Sequence, residues 1–289
     1  MTTTNLVLRI ANTVLMIGIP ILAALWIFRR GKEGFRPIWI GAAAFVLSQV
    51  GHIPFNQYLM MPVLESWGIQ ASAQSGVSLL VLGVAAGLSA GLFEEITRYF
   101  VFRTWLKGSP GELLPVKYGI GHGGVEAFLL GLVTLVALTQ VLVLSGENAL
   151  LSFSSEEVAL VKSQLEVYWA VPWQHSLLGA WERVSAMAFH IGASLMVYKS
   201  VRQKNILWLI IAILGHTGLN AFAVVGIQKL NVVLLEGVLF LFGAGWLFWG
   251  WMVREKDPLE KDQEPPLPPP VQLSASQITP EHLEESRYD

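Results

Sequence analysis

The segment Glu94-Glu95-Ile96-Thr97-Arg98 places three ionisable groups at the end of an apolar run that begins near Val77. Each charged side chain at the centre of a membrane helix costs about 2.5–3.5 kcal/mol on insertion scales. A segment that only spans a bilayer has no use for them. Intramembrane carboxylates are functional by default, so the expectation is one wall of a polar site. Arg98 follows Glu94 by four residues and Glu95 by three, so either carboxylate can reach it on a helix. The two glutamates point about 100° apart. One can therefore pair with Arg98 while the other faces a cavity.

Later spans supply partners for this pair. His122 and Glu126 are four residues apart and share a helical face, within the glycine-rich run Gly119-Ile120-Gly121-His122-Gly123-Gly124. The glycines themselves read as a close helix crossing. His216 and Asn220 are again four apart, offering an imidazole and an amide to a developing oxyanion. His190 lies seven residues after Arg183, on its face. Glu182 and Arg183 are adjacent, so each is expected to find its partner on another helix. His52, with Gln49 and Asn56, reads as structural or cavity-lining.

A carboxylate and a histidine around one water suggest hydrolysis. Glu94 or Glu95 acts as general base with His122, and His216 with Asn220 stabilises the tetrahedral intermediate. That scheme needs no cofactor. The alternative is zinc held by His122, His190 and His216 or by two histidines and a glutamate, although His-Glu-x-x-His is absent. A third reading is a non-catalytic transporter or binding protein whose polar side chains line a path.

The elements that must position these residues are membrane spans. Of 289 residues, 53% are hydrophobic and 14% charged, where a soluble domain has about 25% charged. The absence of cysteine excludes disulfides and thiolate-bound metal. A span needs about 20 mostly apolar residues. Seven stretches qualify, at about 6–28, 37–53, 77–100, 118–144, 173–198, 206–225 and 232–253. The shorter 54–70, with its Pro and Trp residues, reads as interfacial, and 145–172 as a polar connection. The first span is followed by Arg29-Arg30 and preceded by no basic region, so it reads as retained and not as a signal peptide.

The expected class is all-α, a polytopic membrane helix bundle of about seven transmembrane helices. Basic residues cluster in alternate loops: Arg29, Arg30, Lys32 and Arg36, then Arg103, Lys107 and Lys117, then Lys199, Arg202 and Lys204, then Arg254 and Lys256. The N-terminus is thus expected outside and the C-terminus in the cytoplasm. In that frame His190 lies about 13 Å inward from Lys199 and His216 about 18 Å from Lys204. With Glu94, Glu95 and His122 each about one turn in, the polar residues agree in depth. Residues 1–255 form the bundle, and 256–289, with Pro265-Pro266-Leu267-Pro268-Pro269-Pro270, read as a disordered cytoplasmic tail.

The combination Glu94-Glu95-x-x-Arg98, Tyr118 with His122, and His216-x-x-x-Asn220 resembles the CAAX prenyl protease and bacteriocin-processing superfamily. The run Gly121–Glu126, with Glu182-Arg183 leading to Phe189-His190, resembles its YhfC-type branch more closely. The resemblance covers roughly 77–225. It implies a multi-pass cell-membrane endopeptidase of glutamic type in which Glu94 activates water with His122, and His216 and Asn220 form the oxyanion site. It also implies a membrane or membrane-associated protein or peptide substrate within the lipid bilayer, and no nucleic acid. Two residues, where the superfamily has three, separate the glutamates from the arginine, and Tyr118 stands in place of Phe. Glu126 matches the glutamate that PrsW-like relatives carry at the second motif.

Overall fold

The computed structural model describes residues 2–255 apart from 32, 71, 73–75, 110 and 147. The expected tail, 256–289, lies outside the described residues. Nine α-helices follow in order: α1 (Thr3–Phe28), α2 (Arg36–Phe55), α3 (Met61–Ser66), α4 (Gly76–Arg103), α5 (Leu114–Leu144), α6 (Ser155–Ala170), α7 (Leu178–Gln203), α8 (Leu207–Lys229) and α9 (Val232–Met252). No strand occurs among the described residues. Among the described residues seven helical stretches are long and apolar enough to cross a membrane.

Local signals place the helix ends. Thr2 caps α1 by accepting from the Asn5 amide, and Asn231 caps α9 by accepting from the Val233 amide. Pro37 and Pro115 open α2 and α5, where a missing N–H costs nothing.

Three expectations need correction. The second span does not stop before Pro54, because a π-helical turn over Asn56–Met60 joins α2 to α3. The helical stretch therefore runs from Arg36 to Ser66, with Pro54 inside it. The polar connection contains α6, started by a capping box in which Ser154 and Glu157 satisfy each other's amides. Lys117 also differs from its reading as a loop cation: it is fully buried in the first turn of α5 and donates to Glu33 at 2.9 Å.

α7 is the central element. Of its most apolar window 67% is buried, against 17–33% for the other six spans. It packs on α5 and α9 most extensively, and also on α8, α4 and α1. α4 packs along α8, and α5 along α1 and α2. In lipid there is little hydrophobic drive between helices, so close packing and interhelical polar contacts hold them. The glycines of α5 supply the closeness. A Cβ at Gly119 would lie 2.6 Å from the Ile191 Cα of α7, and one at Gly121 would overlap the Ile38 carbonyl of α2. The residues around His122 therefore lie between two backbones.

Gly121→Ala should wedge α5 from α2 and lower stability by about 1–3 kcal/mol, as overpacked cores do. Gly18→Ala, with nothing within 4 Å of the added carbon, should be neutral or slightly stabilising. Thermal unfolding of the detergent-purified protein, followed by tryptophan fluorescence, checks both.

Candidate active site

The predicted polar residues of α4, α5, α7 and α8 meet in one cluster. Arg98 and Glu95 form its centre, both with fully buried side chains, with Arg98 Nη1 donating to Glu95 Oε2 at 2.5 Å. The choice left open between the two glutamates is thereby resolved as to geometry, since Glu95 takes the arginine. The other oxygen of Glu95 faces His216 Nδ1 at 2.8 Å. A carboxylate can only accept, so His216 carries its proton on Nδ1. The far nitrogen of that ring, Nε2, lies 3.9 Å from Glu94 Oε2.

On its other side Arg98 donates through Nη2 to His190 Nδ1 at 3.1 Å. A guanidinium cannot accept, so His190 bears its proton on Nε2, which donates to Glu126 Oε2 at 2.9 Å. Glu126 also accepts from Arg183 Nη1 at 2.7 Å, and Arg183 Nη2 bonds Glu182. The result is one relay through Glu182, Arg183, Glu126, His190, Arg98, Glu95 and His216. Arg183 finds the expected partner on another helix. Glu182 does not, because its long side chain folds back onto the neighbouring arginine.

Glu94 stands beside this relay without a guanidinium. His122 Nε2 lies 3.0 Å from Glu94 Oε2, and Gln49 Nε2 donates to Oε1 at 3.1 Å. Gln49 is the directly contacting residue that the sequence reading undervalued. Its Oε1 faces His52 Nδ1 at 3.1 Å, and His52 Nε2 meets Ser89 Oγ and Asn56 Nδ2 at 3.1 and 2.9 Å. Gly87-Leu88-Ser89-Ala90-Gly91 has the letters of a nucleophile elbow. It lies within α4, without the strand-to-helix turn that exposes such a serine, and Ser89 Oγ donates to the Ala86 carbonyl at 3.0 Å.

Aromatic rings fix the imidazoles. Phe45 meets His122 edge-on at 5.3 Å, Tyr118 stacks on it at 6.0 Å, and Phe189 packs edge-on to His216 at 5.2 Å. Glu94 lines two cavities. One, of about 90 Å³, is shared with Glu126, Arg183, His190, His216 and Asn220. It has room for several waters. Asn220 makes no side-chain hydrogen bond among the described residues and lines this space. The other, of about 380 Å³, is mostly apolar and lies between α2 and α5, walled by Phe45, Val46, Ile53, Leu129 and Leu130, with Gln49 and Glu126 beside Glu94. Glu236 of α9 was not singled out by the sequence reading. It is buried, and its Oε2 has no partner among the described residues. An acidic residue within a predicted span was the signal that could have found it.

The cluster fits a divalent cation. Glu94, Glu95 and Glu126 are three enclosed carboxylates against two guanidiniums, Arg98 and Arg183, and His122 Nδ1 is buried without a partner. Distance gathers Glu94, His122 and His190, with one ligand atom each within 4.8 Å of the others. His216 lies outside that group by distance, with its Nε2 3.9 Å from Glu94 Oε2, but its proton positions suit a metal better than those of His190. Both nitrogens of His190 are engaged, whereas the Nδ1–H of His216 is held by a carboxylate and its Nε2 lone pair is free to ligate, the arrangement metal-binding histidines adopt.

A profile of the YhfC intramembrane metalloprotease family matches residues 15–239. The chain is 28% identical over 242 residues to a Bacillus subtilis (strain 168) protein described as "Uncharacterized membrane protein YhfC", covering 80% of this chain and 89% of that one. No solved structure matches it. With seven apolar helices and a profile match over most of its length, this multi-pass membrane protein belongs to the YhfC intramembrane metalloprotease family.

Proposed function

We propose that the chain is an intramembrane endopeptidase that hydrolyses peptide bonds of membrane or membrane-associated proteins, with Glu94 as the base that activates water. The observation that carries this reading is the isolation of Glu94. It is the one buried carboxylate of the cluster that pairs with no arginine; it faces both cavities, as does Glu126, which Arg183 holds. His122 and Gln49 each donate to one of its oxygens, which fixes the carboxylate plane and leaves a lone pair on each oxygen for water.

In this scheme water held in the polar cavity loses a proton to Glu94 as its oxygen bonds the scissile carbonyl carbon. Asn220 Nδ2 and His216 donate to the resulting oxyanion. His216 serves only when doubly protonated, since Nδ1–H already goes to Glu95. Glu94 then passes its proton to the leaving amine as the C–N bond breaks. Arg98, Glu126, His190, Glu182 and Arg183 are positioning residues that hold Glu95 and the two imidazoles. The apolar cavity between α2 and α5 suits a hydrophobic stretch of substrate.

The second reading, favoured by the family's description and by the free Nε2 of His216, is a zinc site on Glu94, His122 and His216. Bound there, a cation would supply Lewis acidity toward the carbonyl and would lower the pKa of water. The two readings need different states of one atom: a proton on His216 Nε2 in the first, its lone pair in the second. In either reading the C-terminus faces the cytoplasm, as the basic inner loops require.

Glu94→Gln keeps shape and removes basicity. New peptide N-termini present in membranes with wild type should vanish with the variant, with turnover down at least about 10²-fold and an unchanged unfolding midpoint. Matching profiles at equal protein levels would favour a transport or binding role.

Asn220→Ala should cost about 10²–10³ in kcat if it donates to the oxyanion. Elemental analysis of purified protein separates the two readings. Under a tenth of an equivalent of zinc in active, chelator-insensitive protein supports the glutamate. About one equivalent, lost in His216→Ala, supports zinc.

Arg98→Met should leave Glu95 as an unpaired buried charge and lower stability by about 3–5 kcal/mol. An unfolding midpoint equal to that of Glu94→Gln would contradict the central place given to this pair.

A further inference from the structure

The ends of α4 and α7, together with the loop after α4, enclose a second polar cavity, of about 440 Å³, away from the hydrolytic cluster. Arg103 and Lys107 line it from one side, Arg202 and Lys204 from the other. We propose that this cavity binds the phosphate headgroup of an anionic glycerophospholipid.

Among the described residues none of these four cations has a carboxylate partner. Two acidic residues at neighbouring helix and loop ends face other groups. Glu255 accepts from Gln203 at 2.7 Å, and Glu112 lies 4.0 Å from Arg254. The bias of inner loops toward positive charge does not by itself explain the arrangement. It spreads cations over loops, and it does not require four of them on one concave wall, where they repel. Tyr99 OH, 3.5 Å from Arg103 Nη1, and Ser109 add neutral donors. Lys204 is the sole non-glycine residue with positive φ (53°) among the described residues. Helices usually end on glycine in that conformation. Here a cation occupies the position.

Apolar rows that start at the cavity identify the source of the phosphate. Ile206 completes the wall, and Leu207, Ile210 and Leu214 continue from it on one exposed face of α8. Ile96 and Phe100 form an exposed row on α4, the helix packed along α8. A soluble anion has no use for these rows, whereas acyl chains below a headgroup do. Basic pockets between membrane helices take anionic lipid in this way.

The test counts lipid retained by the detergent-purified full chain in native mass spectrometry. Phosphatidylglycerol should be retained in preference to phosphatidylcholine. Arg202→Gln with Lys204→Gly should weaken phosphatidylglycerol binding by roughly 25-fold, about fivefold for each cation. Glycine accepts the left-handed conformation, so the unfolding midpoint of this variant should hold or rise. Arg29→Gln with Arg30→Gln, which removes exposed cations outside the cavity, should change nothing. Equal retention of the two lipids overturns the proposal. So does undiminished binding by the first variant, or an equal loss in the second, which would mean diffuse surface charge. Displacement by glycerol 3-phosphate at the same concentration would assign the site to free phosphate and overturn the lipid.

Discussion

A guanidinium with no exposure, in a bundle surrounded by lipid, is tolerable only if its charge and its donors are met at short range. Arg98 meets this demand with Glu95 on its own helix and His190 on α7. Each partner then needs its own second contact: Glu95 takes His216 of α8, and His190 takes Glu126 of α5. One buried charge thereby fixes the relative rotation of four helices. In the relay every donor meets an acceptor, and every partner comes from a defined helical face. Moving any of these helices by a turn would leave an unpaired group in a medium that cannot solvate it.

This arrangement also accounts for the difference between two adjacent glutamates. Glu95 is occupied by structure. Glu94, rotated about 100° around the same helix, receives only His122 and Gln49 and looks into open space. The relay holds His216 as well, whose outward nitrogen serves either proton donation or metal ligation. Neutralising the excess negative charge by a proton or by a cation is therefore one question asked at one atom.

Close approach of backbones makes the relay possible. His122 lies on a helix whose neighbouring glycines let α2 and α7 come within van der Waals distance. The imidazole is consequently fully buried and held between Phe45 and Tyr118. The polar space left beside the cluster is the small cavity that Glu94 and Asn220 share.

Much of this organisation was legible in the sequence. Apolar length set the spans, because a bilayer imposes one dimension on every crossing helix. Charged residues inside those spans announced the site, because lipid makes them expensive. The i, i+4 pairs His122/Glu126 and His216/Asn220 set which faces turn inward. Contacts between helices were not legible, since helical periodicity says which side is polar and not what lies opposite. The choice of Glu95 for Arg98, the contact of Gln49 with Glu94, and the engagement of both nitrogens of His190 all depend on distances between helices. The continuation of α2 past Pro54 was hidden for a related reason: the helix carries on through the proline into a π turn, and composition does not reveal it. Sequence determined which residues must be sheltered from lipid, and tertiary packing decided which of them are spent on each other and which one is left free.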